Sequence, residues 1–508
     1  MSTALKIVRN SAFSLLASLI TKSANMLVFV LLARRLTVEQ VGSYSLAITY
    51  SIIFVQAASW GLSQLFVREV AGNQEKILDY IVDFMLIRLL LSLIAYALLV
   101  VTVTSVIDYG PTTAQFLVWV GITVIFDSVS DLCQAVFIAF ERLDHITSVS
   151  LAMSLFKLGA TWGGLQIATG LPLLAGIIIG TSLTGMLLNV GIVYWRFARA
   201  ATADSQEGGK INVGAWSSWL LEAFPFVFIT LFYTLDYQID TVLLSAWKGE
   251  EAVGLYSAAT SILFALLFIS RAFREAIFPV MSRLYPSERS TIRRLYRQSA
   301  RWLLAIALPI AVGGTLIGGK LLTALYGEAF RQSGTALQVI IWAVLFLFLN
   351  VPSARLMIVA GEQRPLAWFA VASLGINLLL NALLIPDLSY VGAAVTRLLS
   401  SAVFFLLVYG HTYRHLIQFN IAAIAPRPLI SAAIMATIIW FIKDRLPLLL
   451  VMAVGVSSYT ATLWLIGFLS ADERDLLKHL VRKIVHDRAW RWISQRTRLQ
   501  QNTTSKDI

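Results

Sequence analysis

The sequence predicts an all-α integral membrane protein of about 14 transmembrane helices, with two pseudo-symmetric six-helix lobes around a central cavity plus two C-terminal helices. Three observations carry that expectation. The 508 residues are 58% hydrophobic and only 13% charged, against about 45–50% and about 25% in soluble domains. Apolar windows of the roughly 20 residues that a bilayer crossing requires follow one another along most of the chain. A nine-residue pattern also returns after 212 residues at the same place in the order of spans.

The first six expected spans are 11–33, 41–65, 80–105, 115–140, 146–169 and 173–195. They are parted in turn by Arg34-Arg35, by Arg68 to Lys76, by Asp108 to Pro111, by Glu141 to Asp144 and by Gly170 to Pro172. A polar stretch over 198–214 precedes the second set, expected at 216–246, 253–270, 302–322, 335–359, 366–385 and 391–410. Its joints are Lys248 to Glu251, a basic loop over 271–301 that is most polar from 279 on, Gly327 to Gly334, Gly361 to Pro365 and Pro386 to Ser389. Two more spans, 421–442 and 446–469, complete the membrane part. Glycine inside these runs is no objection, since helices in lipid tolerate it and use it for close packing. The expected domains are therefore 1–200, 201–415, 416–470 and a basic tail over 471–508. Lys6 and Arg9 precede the first apolar run, which lacks an A-x-A cleavage pattern, so an uncleaved first span is expected.

Of the 40 lysines and arginines, 28 fall on the N-terminal side of the membrane, seven on the other side and five within spans. That bias places both termini in the cytoplasm. The net charge of +12 then reports topology and contact with anionic lipid headgroups rather than nucleic acid. In the tail, Lys478, Arg482, Lys483, Arg488, Trp490, Arg491 and Trp492 read either as a basic amphipathic helix on the inner membrane face or as a solvated tail.

Several kinds of chemistry are disfavoured. The single cysteine, Cys133, excludes an intrachain disulfide and a cysteine metal cluster. His145, His411, His415, His479 and His486 fall in expected loops or the tail without metal-ligand spacing. There is no phosphate-binding loop and no nucleophile elbow. No cofactor, no metal and no enzymatic activity are expected.

Glu39-Gln-Val-Gly-Ser-Tyr-Ser-Leu-Ala47 and Glu251-Ala-Val-Gly-Leu-Tyr-Ser-Ala-Ala259 share E-x-V-G-x-Y-S-x-A. Each copy enters the second helix of its set. The even number of spans between them leaves both in one orientation, as parallel repeats related by an axis along the membrane normal. Two such lobes with a site between them are the plan of an alternating-access transporter.

These segments, with Gly61-Leu-Ser-Gln-Leu-Phe-Val-Arg-Glu-Val-Ala71, Ala139-Phe-Glu-Arg142, and the stretches over 240–259 and 377–396, resemble the multidrug/oligosaccharidyl-lipid/polysaccharide exporter superfamily. Within it they are most similar to polysaccharide-type (Wzx-like) oligosaccharide flippases. The likeness covers most of 11–409 through many weak motifs. Thr37 and Val41 depart from the family's usual glycine and aromatic residue. The resemblance implies flipping of an undecaprenyl-pyrophosphate-linked oligosaccharide from the inner to the outer leaflet of the cell membrane. Its implied partners are that lipid-linked substrate, membrane lipids, and the polysaccharide polymerase and glycosyltransferases of the same pathway. Two covalently joined lobes make a functional monomer the expectation. A multidrug/cation antiporter and a lipid II flippase of the same superfamily are the nearest alternatives. A membrane glycosyltransferase is more distant, because it wants a large outer loop and an acidic metal motif.

Charges inside spans are the functional candidates, since each costs several kcal/mol unless it faces a wet cavity or a partner. Ser11, Ser14, Ser18, Lys22 and Asn25 form a polar stripe on the first helix, and the Lys22 ammonium suits a pyrophosphate; packing against Asp127 or Asp131 is the alternative. Gln56, Ser59 and Ser63 recur on one face of the second span, either to bind sugar hydroxyls or to join helices. Arg88, Lys157, Arg355 and Arg397 either converge on a diphosphate headgroup or form structural pairs. Two carboxylate pairs one turn apart, Asp127 with Asp131 and Asp236 with Asp240, are candidates for ion coupling. Asp127 and Asp131 are read first as partners of Lys157 or Arg88. Asp236 and Asp240 read equally as a solvated helix end on the span that also carries Glu222 and Tyr233.

Overall fold

The structure, a computed structural model, describes residues 3–72, 77–198, 211–285, 288–469 and 473. The basic tail beyond these, with its expected amphipathic helix, lies outside the described residues. Helices α1 (Thr3–Arg35), α2 (Val38–Ser59), α3 (Leu62–Gly72), α4 (Ile77–Val101), α5 (Pro111–Gly121), α6 (Thr123–Ala139), α7 (Leu143–Ile167) and α8 (Leu171–Val193) make up the first set. The second comprises α9 (Val213–Leu284), α10 (Arg289–Tyr326), α11 (Ser333–Ile340), α12 (Ala343–Val359) and α13 (Gln363–His415). The residues Met1–Ile421 form one compact unit, and Ala422–Ile508 a second. In the second, α14 (Pro426–Ile442) packs on α15 (Leu448–Leu465), with Gly455 close against Ile439 and Arg427 donating to the Gly467 carbonyl at 2.8 Å.

Among the described residues, ten helices are long and apolar enough to cross a membrane, and the protein is multi-pass. Two of the ten are double. In α9, Gly249 has φ 78° and ψ −175°, a backbone region open almost only to glycine. Sixteen residues of straight helix span about 24 Å, yet Tyr256 hydrogen-bonds Asp240 at 2.9 Å, so the chain reverses at Gly249. Ser389, at φ 50°, marks the corresponding break in α13, and Gly392 comes back against the Leu384 carbonyl. With α7 and α14 added, each of the fourteen expected spans has a helix.

Two expectations need correction. The span over 41–65 stops at Ser59, where Trp60 takes a left-handed conformation and α3 starts a new direction. The basic segment over 279–301 is not a loop, because α9 runs through Leu284 and α10 begins at Arg289. Arginine is a good helix former, and Ile292, Tyr296, Ser299 and Ala300 give that segment a buried stripe to pack. Thr37, where the family pattern has glycine, caps α2 through reciprocal bonds with Gln40 at 3.2 and 3.3 Å, a motif stabilising by about 1 kcal/mol.

The repeat explains how the two sets meet. A Cβ built on Gly42 would lie 1.8 Å from the Glu250 carbonyl oxygen, and one on Gly254 would lie 2.1 Å from that of Val38. Glu250 stands to Gly254 as Val38 stands to Gly42, so the contact is reciprocal: α2 and the second half of α9 cross backbone to backbone about a pseudo-twofold axis. Around it lie a Tyr50–Tyr109–Ser245 hydroxyl chain at 2.9 and 2.7 Å and a Thr49–Gln238 bond at 3.2 Å. Arg34 adds a cap on the Leu325 and Ala324 carbonyls at the end of α10. A single apolar core runs from Val28 to Ala394 through both sets.

Candidate functional site

The charges within spans fall into four groups. The most buried is on the second set, where Asp240 is 1% exposed. One of its oxygens accepts Asn377 and Asn381 at 2.9 and 2.8 Å; the other accepts Tyr256 at 2.9 Å and two nitrogens of Arg397 at 2.8 and 2.6 Å. Arg397 also reaches Asp236 at 3.2 Å and sits over the Tyr237 ring. A carboxylate offers about four acceptor sites, and here they are filled. Asp236, Asp240 and Arg397 are thus brought together as one knot tying α9 to both halves of α13.

On the first set Arg88 is fully buried, donating to the Ser128 carbonyl at 3.0 Å and to Asp131, which also accepts Ser63 at 2.7 Å. Asp131 itself stays open, its side chain 44% exposed. Ser63 belongs to α3, so it does not share a helix face with Gln56 and the buried Ser59.

Asp127, one turn from Asp131, turns elsewhere. With Gln56, Lys157, Thr123, Thr181 and Ser182 it lines a cavity of about 290 Å³ between α2, α6, α7 and α8. Ser182 lies beside Asp127 in this lining, and Lys157 lies 5.7 Å above the Tyr44 ring.

The fourth group lies where α1 faces the second set. Lys22 is exposed on α1, and Arg271 is within electrostatic range of it. Arg274, one turn along α9 from Arg271, lies within the same range of Arg355 on α12, whose guanidinium stacks on Phe278 at 5.3 Å. Tyr233 borders both Arg274 and Arg355. Glu275 contacts Arg274 at 3.4 Å with its side chain 70% exposed. Two pairs of cations, Lys22 with Arg271 and Arg355 with Arg274, therefore lie one turn apart along α9, and Glu275 contacts Arg274. Asn25 lies exposed one turn beyond Lys22, while Ser11 and Ser14 of the stripe lie outside the described side chains.

Arg271 and Arg274 escaped the sequence reading because they were assigned to a loop. The signal was present: Ser270-Arg271-Ala-Phe-Arg274-Glu-Ala-Ile277 carries its arginines three apart while Ile277 and Met281 continue the apolar period. Nearer the helix ends, Glu222 pairs with Arg68 at 2.6 Å, and hydrogen bonds to Glu69 and Glu222 hold the Arg68 guanidinium above its usual range. Beside it Asp83, 1% exposed, receives the Asn212 amide at 3.1 Å and the Trp216 indole at 2.8 Å, fixing the start of α9 on α4. No group of three or more metal-ligating side chains occurs among the described residues.

The chain matches a family model described as polysaccharide biosynthesis protein over residues 7–285, and one described as MatE over 225–383. A probable flippase of Haloferax volcanii, AglR, is 25% identical over 214 residues, 41% of this chain and 45% of its own. A second protein of that organism, the probable low-salt glycan biosynthesis flippase Agl15, is 21% identical over 58% of this chain and 60% of its own. The chain thus spans about half the length of these curated relatives. Among solved structures, the lipid II flippase MurJ in an inward closed conformation has the same fold, with a TM-score of 0.71 at 14% identity, covering 92% of this chain and 99% of that one.

Proposed function

The chain belongs to the polysaccharide biosynthesis protein family, and from that premise we propose that it flips a lipid-linked, undecaprenyl-pyrophosphate-type oligosaccharide from the inner to the outer leaflet by alternating access. The observation that carries this reading is the row of like charges along α9, with Lys22 beside Arg271 and Arg355 beside Arg274 one turn on. Four like charges held together in a membrane segment are costly without a counter-charge. A diphosphate supplies it, taking a compact ammonium and several forked guanidinium donors at once. The polyprenyl tail stays in lipid while the head passes between the two helix sets, which act as lobes of 1–200 and 201–415.

A cation antiporter that couples through Asp240 is favoured less, because a coupling carboxylate needs free oxygens and those of Asp240 are already filled. Both termini face the cytoplasm in this proposal, following the lysine and arginine bias. The protein works as a monomer alongside the polymerase and glycosyltransferases that make and use its cargo.

The test is translocation of a fluorescent diphosphate-linked oligosaccharide lipid in liposomes holding the purified protein. Lys22→Ala and Arg274→Ala are expected to lower the initial rate about tenfold or more each, the loss of one charge-assisted contact of about 1.5–3 kcal/mol, with unchanged thermal unfolding; Arg274→Lys retains part of it. Equal rates in wild type and both alanine variants would remove the cation cluster from the path.

A further inference from the structure

One pair of opposite charges in the first helix set differs from the pairs elsewhere. In the second set, Asp240 and Arg397 are in contact and the adjoining cavity beside Asp236 holds only about 30 Å³, and in the first Arg88 contacts Asp131. Asp127 and Lys157 instead line a hollow of about 290 Å³, within electrostatic range of each other and with no ion pair between them among the described residues. Lys157 has a ring for a neighbour and no salt bridge among the described residues. Two opposite charges facing one hollow without contact inside a membrane domain are an expensive arrangement unless something bridges them.

The rest of the lining says what would fit. Gln56 offers a donor and an acceptor, and Thr123, Thr181 and Ser182 add hydroxyls. The volume lies at the lower edge of the roughly 300–1,000 Å³ of small-molecule sites. Aliphatic side chains of Ile52 and Val55 close one wall. Dense, neutral and charged hydrogen-bonding groups over an aliphatic floor match a pyranose ring, which carries hydroxyls around its rim and C–H groups on its faces. They do not match a diphosphate, which the Asp127 carboxylate would repel.

We propose that the cavity between α2, α6, α7 and α8 is a sugar-reading subsite, in which Asp127, Gln56 and Lys157 hydrogen-bond a pyranose of the lipid-linked cargo. This rests on the proposed flippase function and divides the cargo between two places: cations around Lys22 take the diphosphate, and the first-lobe cavity takes a sugar. Selection among cargoes then resides at Asp127 and Gln56 rather than at the cations.

The experiment uses full-length protein carrying Cys133→Ser and one reporter thiol, Ser182→Cys or, one turn from Lys22, Asn25→Cys, and follows its modification by a small methanethiosulfonate. Two probes are added: the diphosphate-linked oligosaccharide lipid extracted from the host, and undecaprenyl diphosphate alone. The oligosaccharide lipid is expected to slow modification at Ser182→Cys about tenfold, corresponding to ~1.4 kcal/mol, and undecaprenyl diphosphate to leave it unchanged. Asn25→Cys is slowed by both. Adding Asp127→Asn abolishes protection at Ser182→Cys and not at Asn25→Cys. Protection of Ser182→Cys by both lipids or by neither, or a thiol there that the reagent never reaches, overturns the subsite. Failure of either lipid to protect Asn25→Cys counts against the flippase reading instead, and the Ser182→Cys result still decides the subsite.

Discussion

Arg88 and Arg397 lie equally deep, yet the carboxylate each would leave behind differs. Asp240 is 1% exposed, so Arg397→Leu strands a charge that no water reaches, at a cost of about 3–5 kcal/mol. Asp131 has its side chain 44% exposed, so Arg88→Leu leaves a carboxylate that water can still hydrate, and the cost is nearer 1–3 kcal/mol. Thermal unfolding in detergent is expected to rank Arg397→Leu well below Arg88→Leu, and Asn377→Ala between Arg397→Leu and the wild type. If Arg88→Leu is the worse of the two, exposure of the abandoned partner is not what sets the loss. These fates were only half legible in the sequence. Spacing shows that Asp127 and Asp131 share a helix face and offers Arg88 and Lys157 as partners, but one turn of helix sends Asp131 to Arg88 and Asp127 into a cavity. Nothing in a single sequence separates those directions.

At the scale of elements, the repeat was the most legible feature and its meaning the least. The pattern E-x-V-G-x-Y-S-x-A gives the order and orientation of two helices. That its glycines touch the opposite copy follows only from packing, since a glycine in a membrane helix has many uses. The reciprocity makes a sharp prediction. Gly42→Ala and Gly254→Ala each wedge a methyl group into the same backbone crossing, at 1.8 and 2.1 Å from a carbonyl oxygen, an overpacking cost of about 1–3 kcal/mol apiece. Once the first methyl has pushed α2 from α9, the second finds room. The double variant is therefore expected to lose less stability than the two singles together, with a coupling of roughly 0.5–3 kcal/mol. Strictly additive losses would mean that the two glycines do not share one crossing. The misread elements, α3 and the start of α10, fail for a common reason: both are short amphipathic or basic pieces at the membrane edge, where charge density resembles a loop although helix propensity is retained.

For the molecule as a whole, that crossing bears on function as well as stability. One group of contacts between the two sets lies at the repeat: Gly42 against Glu250, Tyr109 against Ser245, Thr49 against Gln238, and Arg34 capping α10. A second, with Arg68 on Glu222 and Asp83 on Asn212 and Trp216, holds the start of α9. If the sets rock as lobes to carry a head group through, the contacts at the repeat must part in every cycle, since backbones this close leave no passage for a sugar. They are also suited to parting. The Tyr109–Ser245 and Thr49–Gln238 hydrogen bonds are between neutral side chains that regain water when separated, each worth only about 0.5–1.5 kcal/mol net, whereas the charged knot at Asp240 lies wholly within one set and moves with it. A tether across the weak contact should therefore stop transport without harming the fold. In a Cys133→Ser background, Thr49→Cys with Gln238→Cys, joined by a short bis-methanethiosulfonate, is expected to abolish flipping of the lipid-linked oligosaccharide. A reducing agent should restore the rate, and either single cysteine treated alike should flip at the untreated rate. Transport that continues through the tether would show that α2 and α9 stay together throughout the cycle, and the moving boundary would then have to lie elsewhere between the two sets.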